Sequence, residues 1–400
     1  MEADICYFAA TDRENALATT AGHRYRALDG LRGVAALFVV FYHAPWTTHF
    51  SGMRMVGNAY LAVDFFFILS GFVIAANYAD RIVDGASARA FMLTRFFRLY
   101  PLHFAVLMVL VAQEAIKLAA QGALVSDVAP FTGPNSISLL IENLCMAQGL
   151  GLENRLGWNP PSWSVGAEFV AYFLFALLAI GGALRSRGFV LALAALAFVS
   201  YFAIAATQNT LDATYGLGLL RCLAGFSLGV AIQFFSPAAG SGDARPARMV
   251  AVALILCLGT LAFAQGAVIF AAIPLFVALV ATLQFDQGLA ARLLSTRPAQ
   301  FLGRVSYSIY MIHVPLLAMA AIFLKRALHV PSHFDGRRQI IELSSPWIGD
   351  LAFALVLVAV LALSWAAFTW IEEPSRLFGR RLAARPASAP EAPLVPRQTI

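Results

Sequence analysis

An all-α, polytopic membrane helix bundle of about ten transmembrane helices is the fold predicted by this 400-residue sequence. The chain is 60% hydrophobic and only 12% charged, with a mean hydropathy of +0.74, whereas soluble domains hold about 25% charged residues. Its apolar residues also gather into runs of about twenty, the length needed to cross a hydrocarbon core of about 30 Å. The expected spans lie near 31–49, 60–79, 99–118, 163–184, 188–206, 214–235, 248–264, 267–285, 303–324 and 350–371.

Three parts follow: a cytoplasmic tail over 1–26, a membrane domain over 27–377 and a disordered cytoplasmic tail over 378–400, rich in Ala and Pro. The first part lacks a sustained apolar core and carries Asp4, Asp12 and Glu14, which argues against a cleaved signal peptide. Cys6, Cys145, Cys222 and Cys257 have no close spacing, so neither a disulfide framework nor a zinc site follows. The segment 137–150 is broken by Glu142, Asn143 and Gln148 and reads as a partly buried or interfacial piece of a long loop. With the N-terminus inside, 20 of the 28 Lys and Arg fall on the inner side, seven outside and one, Arg221, within a span. That bias fits the positive-inside rule and puts both termini in the cytoplasm of a cell whose inner membrane holds the protein. The same placement accounts for the net charge of +6 without nucleic acid as a partner.

Ionisable residues inside spans are costly and mark function or tight pairing. In the first span, DGLRGVAALFVVFYHAPW, Arg32 and His43 stand eleven residues apart, on nearly the same helix face and roughly 16 Å apart along the axis. They either face a cavity, or Arg32 marks the membrane edge and His43 hydrogen-bonds inside the bundle. In YLAVDFFFILSGFVIA, Asp64 lies at the outer end of the next span. A short connection makes the two helices antiparallel neighbours, which would let Asp64 orient His43 as a general base. The alternative is that Asp64 sits on the free amides of a helix N-terminus. In RFFRLYP, Arg95 and Arg98 share a helix face suited to a polyanion, although on the residues alone membrane anchoring is the more ordinary role of two juxtamembrane arginines. In NPPSWSVGAEFVAYF, Glu168 lies one turn below Ser164, to bind a sugar hydroxyl, assist proton transfer or accept from a buried donor such as Arg221. His313, just before Pro315, is expected to donate to a backbone carbonyl freed by the proline, and Glu372 and Glu373 to pair with arginines such as Arg376.

Taken together, LDGLRGVAALFVVFYHA, VDFFFILSGF, RFFRLYP, PSWSVGAEF, FLGRVSYSIYMIHVPLL and WIEEPSR resemble the successive blocks of the acyltransferase family 3 proteins, from about 27 to 377. These are integral membrane acyltransferases that include O-acetyltransferases of bacterial surface and exported polysaccharides. GAEF departs from the more acidic run of that block, and the chain looks like a stand-alone member without an esterase-like domain. The resemblance implies transfer of an acyl group, commonly acetyl, from acyl-CoA to a hydroxyl of a carbohydrate or lipid-linked glycan, with the lipid bilayer as the remaining partner. Arg32 and His43 match the arginine and histidine of the family's first helix, and Arg95 and Arg98 its paired arginines. The expected catalytic residues are therefore His43, Asp64 and Glu168, and the expected acyl-CoA-binding residues are Arg32, Arg95 and Arg98. No metal is expected, because the histidines lack ligand spacing. The rival class is a secondary transporter or lipid-linked glycan flippase, although no repeated halves or matching broken helices are evident.

Overall fold

The computed structural model describes residues 25–119, 129–236, 245–334 and 339–384. The expectations for most of the N-terminal tail, for Cys6 and for the end of the C-terminal tail lie outside these residues. Among the described residues the main elements are α1 (Arg26–Tyr42), α2 (Ala62–Tyr78), α3 (Gly85–Ala119), α4 (Ile137–Leu144), α5 (Trp163–Ile180), α6 (Arg187–Gln208) and α7 (Gly218–Phe235). They continue with α8 (Arg245–Phe263), α9 (Ala272–Leu283), α10 (Gly288–Leu294), α11 (Arg297–Arg326), the hairpin of β1 (Ser332–Phe334) and β2 (Gln339–Ile341), α12 (Pro346–Ala367) and α13 (Glu373–Ala383). Among the described residues eight helices are long and apolar enough to cross a membrane, and they correspond to eight of the ten expected spans. The other two, α1 and α8, are shorter or more polar. The protein is a polytopic helical membrane protein.

Lipid tails give helices no hydrophobic reason to associate, so close packing must come from small residues and interhelical hydrogen bonds. The contacts follow that rule. Helix α1 lies along α11, and α2 along α7. At the first crossing a Cβ on Gly33 would run into the backbone of Leu302 and Gly303, so only glycine permits the approach. At the second, Gly71 and Gly229 play the same part against Phe226 and Ile68.

Three boundaries differ from expectation, each for a local reason. The first span was expected to reach residue 49, but α1 ends at Tyr42 and His43 is its C-terminal cap, with φ −89° and ψ 1°. Pro45 explains the stop, because a proline disfavours helical geometry in the residue before it. The chain then leaves as an extended strap: Ile341 N–H donates to Pro45 O at 2.9 Å and Thr47 N–H to Ile341 O at 3.3 Å, while Trp46 Nε1 donates to Gly349 O at 3.0 Å. The third span was expected to begin at 99. Instead α3 is one helix of 35 residues, roughly 52 Å long and well beyond a hydrocarbon core. Its start is fixed by reciprocal bonds, Ser87 N–H to Asp84 Oδ1 at 2.8 Å and Asp84 N–H to Ser87 Oγ at 3.1 Å, and the Ser87 hydroxyl, donating to the same Oδ1 at 2.7 Å, joins the Ser87 N–H in holding the Asp84 carboxyl below its usual range. Finally, α12 runs into α13 through a π-helical segment, Phe368–Glu372. The wider turn there rotates Glu372 into the protein. Within 137–150 the structure has only α4, eight residues long and too short to cross the membrane.

Candidate active site

The α1–α11 pair carries two polar layers, one near each end. At the α1 C-terminus, His43 Nδ1 lies 2.9 Å from Val39 O and 3.3 Å from Nε2 of His313. The His313 Nδ1 is in turn 3.1 Å from Ile309 O. His43 is half-buried, whereas His313 is 0% exposed. Tyr42 packs T-shaped against His43 at 4.9 Å between centroids, and Tyr310 flanks His313 at 5.9 Å.

The two sequence blocks around this layer interlock. Pro315 cannot donate to Met311 O, the i−4 carbonyl it would meet in a regular helix, and Asn159 Nδ2 fills the vacancy at 2.9 Å. It is therefore Asn159, not His313, that meets the freed carbonyl. Tyr310 O–H donates to Pro161 O at 3.0 Å, with Ser164 Oγ 2.8 Å from the same hydroxyl. The NPPSWS stretch thus braces the helix that presents His313.

The second layer is cationic. Arg32 donates from Nε to Ser306 Oγ at 3.0 Å and from Nη2 to Gly303 O at 2.9 Å, and pairs with Asp29 at 3.2 Å. The close approach at Gly33 is what brings this guanidinium onto α11. Arg95 and Arg98 share a helix face but have different surroundings. Arg95 donates to Tyr78 O–H at 3.1 Å and lies over the Tyr78 and Phe91 rings at 5.2 and 5.9 Å. Its Nε has no partner among the described residues. Arg98 makes no hydrogen bond or ion pair among the described residues, yet it interacts electrostatically with the carboxylates of Glu372 and Glu168. Its guanidinium is thus the uncommitted cation of this layer.

Glu168 belongs to the same layer. Its Oε1 accepts from Ser70 Oγ and from Tyr172 O–H, both at 2.5 Å, and the two hydroxyls are 3.0 Å apart. Arg221 is not its partner. Glu372, which the sequence reading assigned to pairing with Arg376, is buried and accepts from Ser308 Oγ at 2.9 Å, with Arg98 its foremost charged neighbour. Glu373 takes Arg376 instead, at 2.7 Å.

Asp64 stands apart from both layers. Its carboxylate is held by Arg221, from Nε at 2.7 Å and Nη2 at 2.6 Å, and by Tyr201 O–H at 3.0 Å. The expected Asp64–His43 pairing is therefore corrected, since the oxygens that would orient the imidazole are occupied by a fork from α7. The pair is 0% and 1% exposed. Arg221 also donates to Ala213 O and Tyr60 O, at 3.1 and 3.3 Å, so every side of this buried charge is compensated. Where His43 was expected to meet a carboxylate, it meets a second imidazole, 270 residues away. The one sequence clue was that His313 lies in an apolar span. Among the described residues no cluster of three or more His, Cys, Asp or Glu side chains could hold a metal ion.

These layers place an uncommitted cation and a half-buried pair of imidazoles at two levels of one multi-pass membrane protein. The family is set by comparison: residues 25–369 match the model described as an acyltransferase domain, and the chain belongs to that family and is an acyltransferase. Over 180 residues it is 36% identical to protein 2 in the picA locus of Rhizobium radiobacter, covering 43% of this chain and 92% of the relative. Over 166 residues it is 32% identical to the acyltransferase MdmB of Streptomyces mycarofaciens, covering 38% of this chain and 39% of that protein. No solved structure matches the chain.

Proposed function

We propose that the protein transfers an acyl group, commonly acetyl, from acyl-CoA to a hydroxyl of a carbohydrate or lipid-linked glycan at the inner membrane. The observation that carries this reading is the arrangement of two polar layers along one helix pair. The cationic layer contains Arg98 without a direct partner among the described residues, and the imidazole layer lies roughly 16 Å further along α1. Phosphate groups bind guanidinium forks strongly, so Arg98, supported by Arg32 and Arg95, receives the phosphates of CoA on the cytoplasmic side. The acyl thioester reaches towards His43, where the acceptor enters from the opposite side.

His43 then removes the acceptor hydroxyl proton as that oxygen attacks the thioester carbonyl. The carbon–sulfur bond breaks, and the imidazolium returns the proton to the thiolate, so CoA leaves as the thiol. Glu168, held by Ser70 and Tyr172, adds a carboxylate to the cationic layer beside Arg98. Asp64 supports the fold through Arg221 rather than the proton transfer.

The test is to supply purified protein in lipid nanodiscs with acetyl-CoA and fractionated glycan extracts, following thiol release and label transfer together. Thiol release that depends on a glycan fraction, with label in that fraction, is the expected result. Label crossing sealed vesicles without thiol release would instead favour transport.

A further inference from the structure

Resting on the reading of His43 as the general base, we infer that His313 is a positioning residue that sets the His43 tautomer and takes the place of the carboxylate in a hydrolase triad.

The argument is a donor–acceptor accounting of five atoms. Val39 O and Ile309 O are carbonyls and can only accept. His43 Nδ1 lies 2.9 Å from the first and His313 Nδ1 lies 3.1 Å from the second, so each Nδ1 carries a proton. The Nε2 of His313 faces His43 Nδ1 at 3.3 Å. If that Nε2 were also protonated, two N–H groups would point at each other in a buried site. All three contacts are satisfied only when His313 is neutral with its lone pair on Nε2 and His43 is protonated on Nδ1. The His43 proton is then shared between Val39 O and His313 Nε2, and its lone pair falls on Nε2, the nitrogen a general base must offer.

The arrangement also favours the charged state reached during transfer. When His43 takes a second proton its Nδ1–H becomes a stronger donor, and the His313 lone pair stabilises it as a carboxylate does in a triad. A neutral acceptor does this without a buried negative charge, which would need its own counter-ion at this depth. His313 cannot turn away from the task. Its ring is fully buried, back-bonded to its own helix and flanked by Tyr310, whose hydroxyl is fixed to Pro161 O. The Asn159 bond to Met311 O holds the turn just before it.

The test combines spectroscopy with two variants. In protein carrying ¹⁵N-labelled histidine, the His43 signal is identified by its loss in His43→Gln, and its two nitrogens report the tautomer directly. The expected wild-type spectrum has His43 protonated on Nδ1 and His313 neutral. His313→Leu removes the acceptor and should shift His43 towards a mixture of tautomers, lowering kcat roughly 10- to 100-fold with the acyl-donor KM little changed. His313→Gln, which can place an oxygen near His43 Nδ1, should recover much of that loss. A wild-type His43 protonated on Nε2, or a folded His313→Leu protein with unchanged tautomer and kcat, overturns the inference. Should His313→Leu fail to fold, the wild-type spectrum and His313→Gln still decide it. Failure of the base assignment is separate, being read from full activity in His43→Gln.

Discussion

Replacing Asp64 by Asn should cost stability rather than chemistry. The substitution keeps the size of the side chain but removes the charge that Arg221 grips from Nε and Nη2 at 2.7 and 2.6 Å. Arg221 is 1% exposed and would be left as a buried cation facing only neutral oxygens, the carbonyls of Tyr60 and Ala213 and the one amide oxygen that the new side chain keeps. Breaking a buried pair from one side costs about 3–5 kcal/mol, which is two to almost four orders of magnitude in the folding equilibrium at about 1.4 kcal/mol per decade. Removing both charges together, as in Asp64→Leu with Arg221→Met, should recover most of the loss, because no unpaired charge remains. The assay is unfolding of each variant in the same detergent, followed by helical circular dichroism, with acyl transfer measured on the folded fraction. Normal stability in Asp64→Asn, together with lost transfer and an altered His43 tautomer, would refute the reasoning and return Asp64 to the side of His43.

The two paired arginines should separate. Arg98→Gln should weaken acyl-CoA binding about 10- to 100-fold, the worth of a charged hydrogen bond, with partial rescue by Lys, which lacks the planar fork; Arg95→Gln should mainly loosen α3 against Tyr78, and equal binding losses in both would contradict the assignment. Gly33→Ala should force α1 away from α11, since its Cβ meets the backbone at Gly303, and should cost about 1–3 kcal/mol in detergent unfolding while disturbing the His43–His313 contact. Cys145 is exposed in the segment between α3 and α5, so an impermeant thiol reagent should label it from outside intact cells; labelling only after lysis would invert the topology and move the arginine layer away from the CoA-containing side.

How far the sequence could be read depended on the range of each interaction. Spans are local, and runs of about twenty apolar residues found eight of the long helices directly. The end of α1 was also legible, in Pro45, but the length of about twenty residues expected of a span drew the boundary past it. Pairing between helices was not legible. A short connection suggested that α1 and α2 would be the closest partners, which put Asp64 beside His43; yet glycine contacts seat α1 on α11 and α2 on α7. Once α2 faces α7, Arg221 becomes the natural partner of Asp64. His313 was visible as a buried imidazole, but its partner lies 270 residues away. Glu372 owes its inward position to a π-helical segment, which leaves no periodic trace in so short a run.

The most direct test of the account is the pH dependence of acyl transfer by wild type and by His43→Gln, with acyl-CoA binding measured on the same samples. A base works only when neutral, so the wild-type rate should rise with pH through the titration of a single group and then level off. The rate should fall again on acidification as His43 takes up a proton. His43→Gln should bind acyl-CoA as wild type does, while transfer drops roughly 100-fold or more and the acid limb disappears. A His43→Gln protein with wild-type transfer, or one that keeps the same acid limb, would contradict the assignment of His43 as the base.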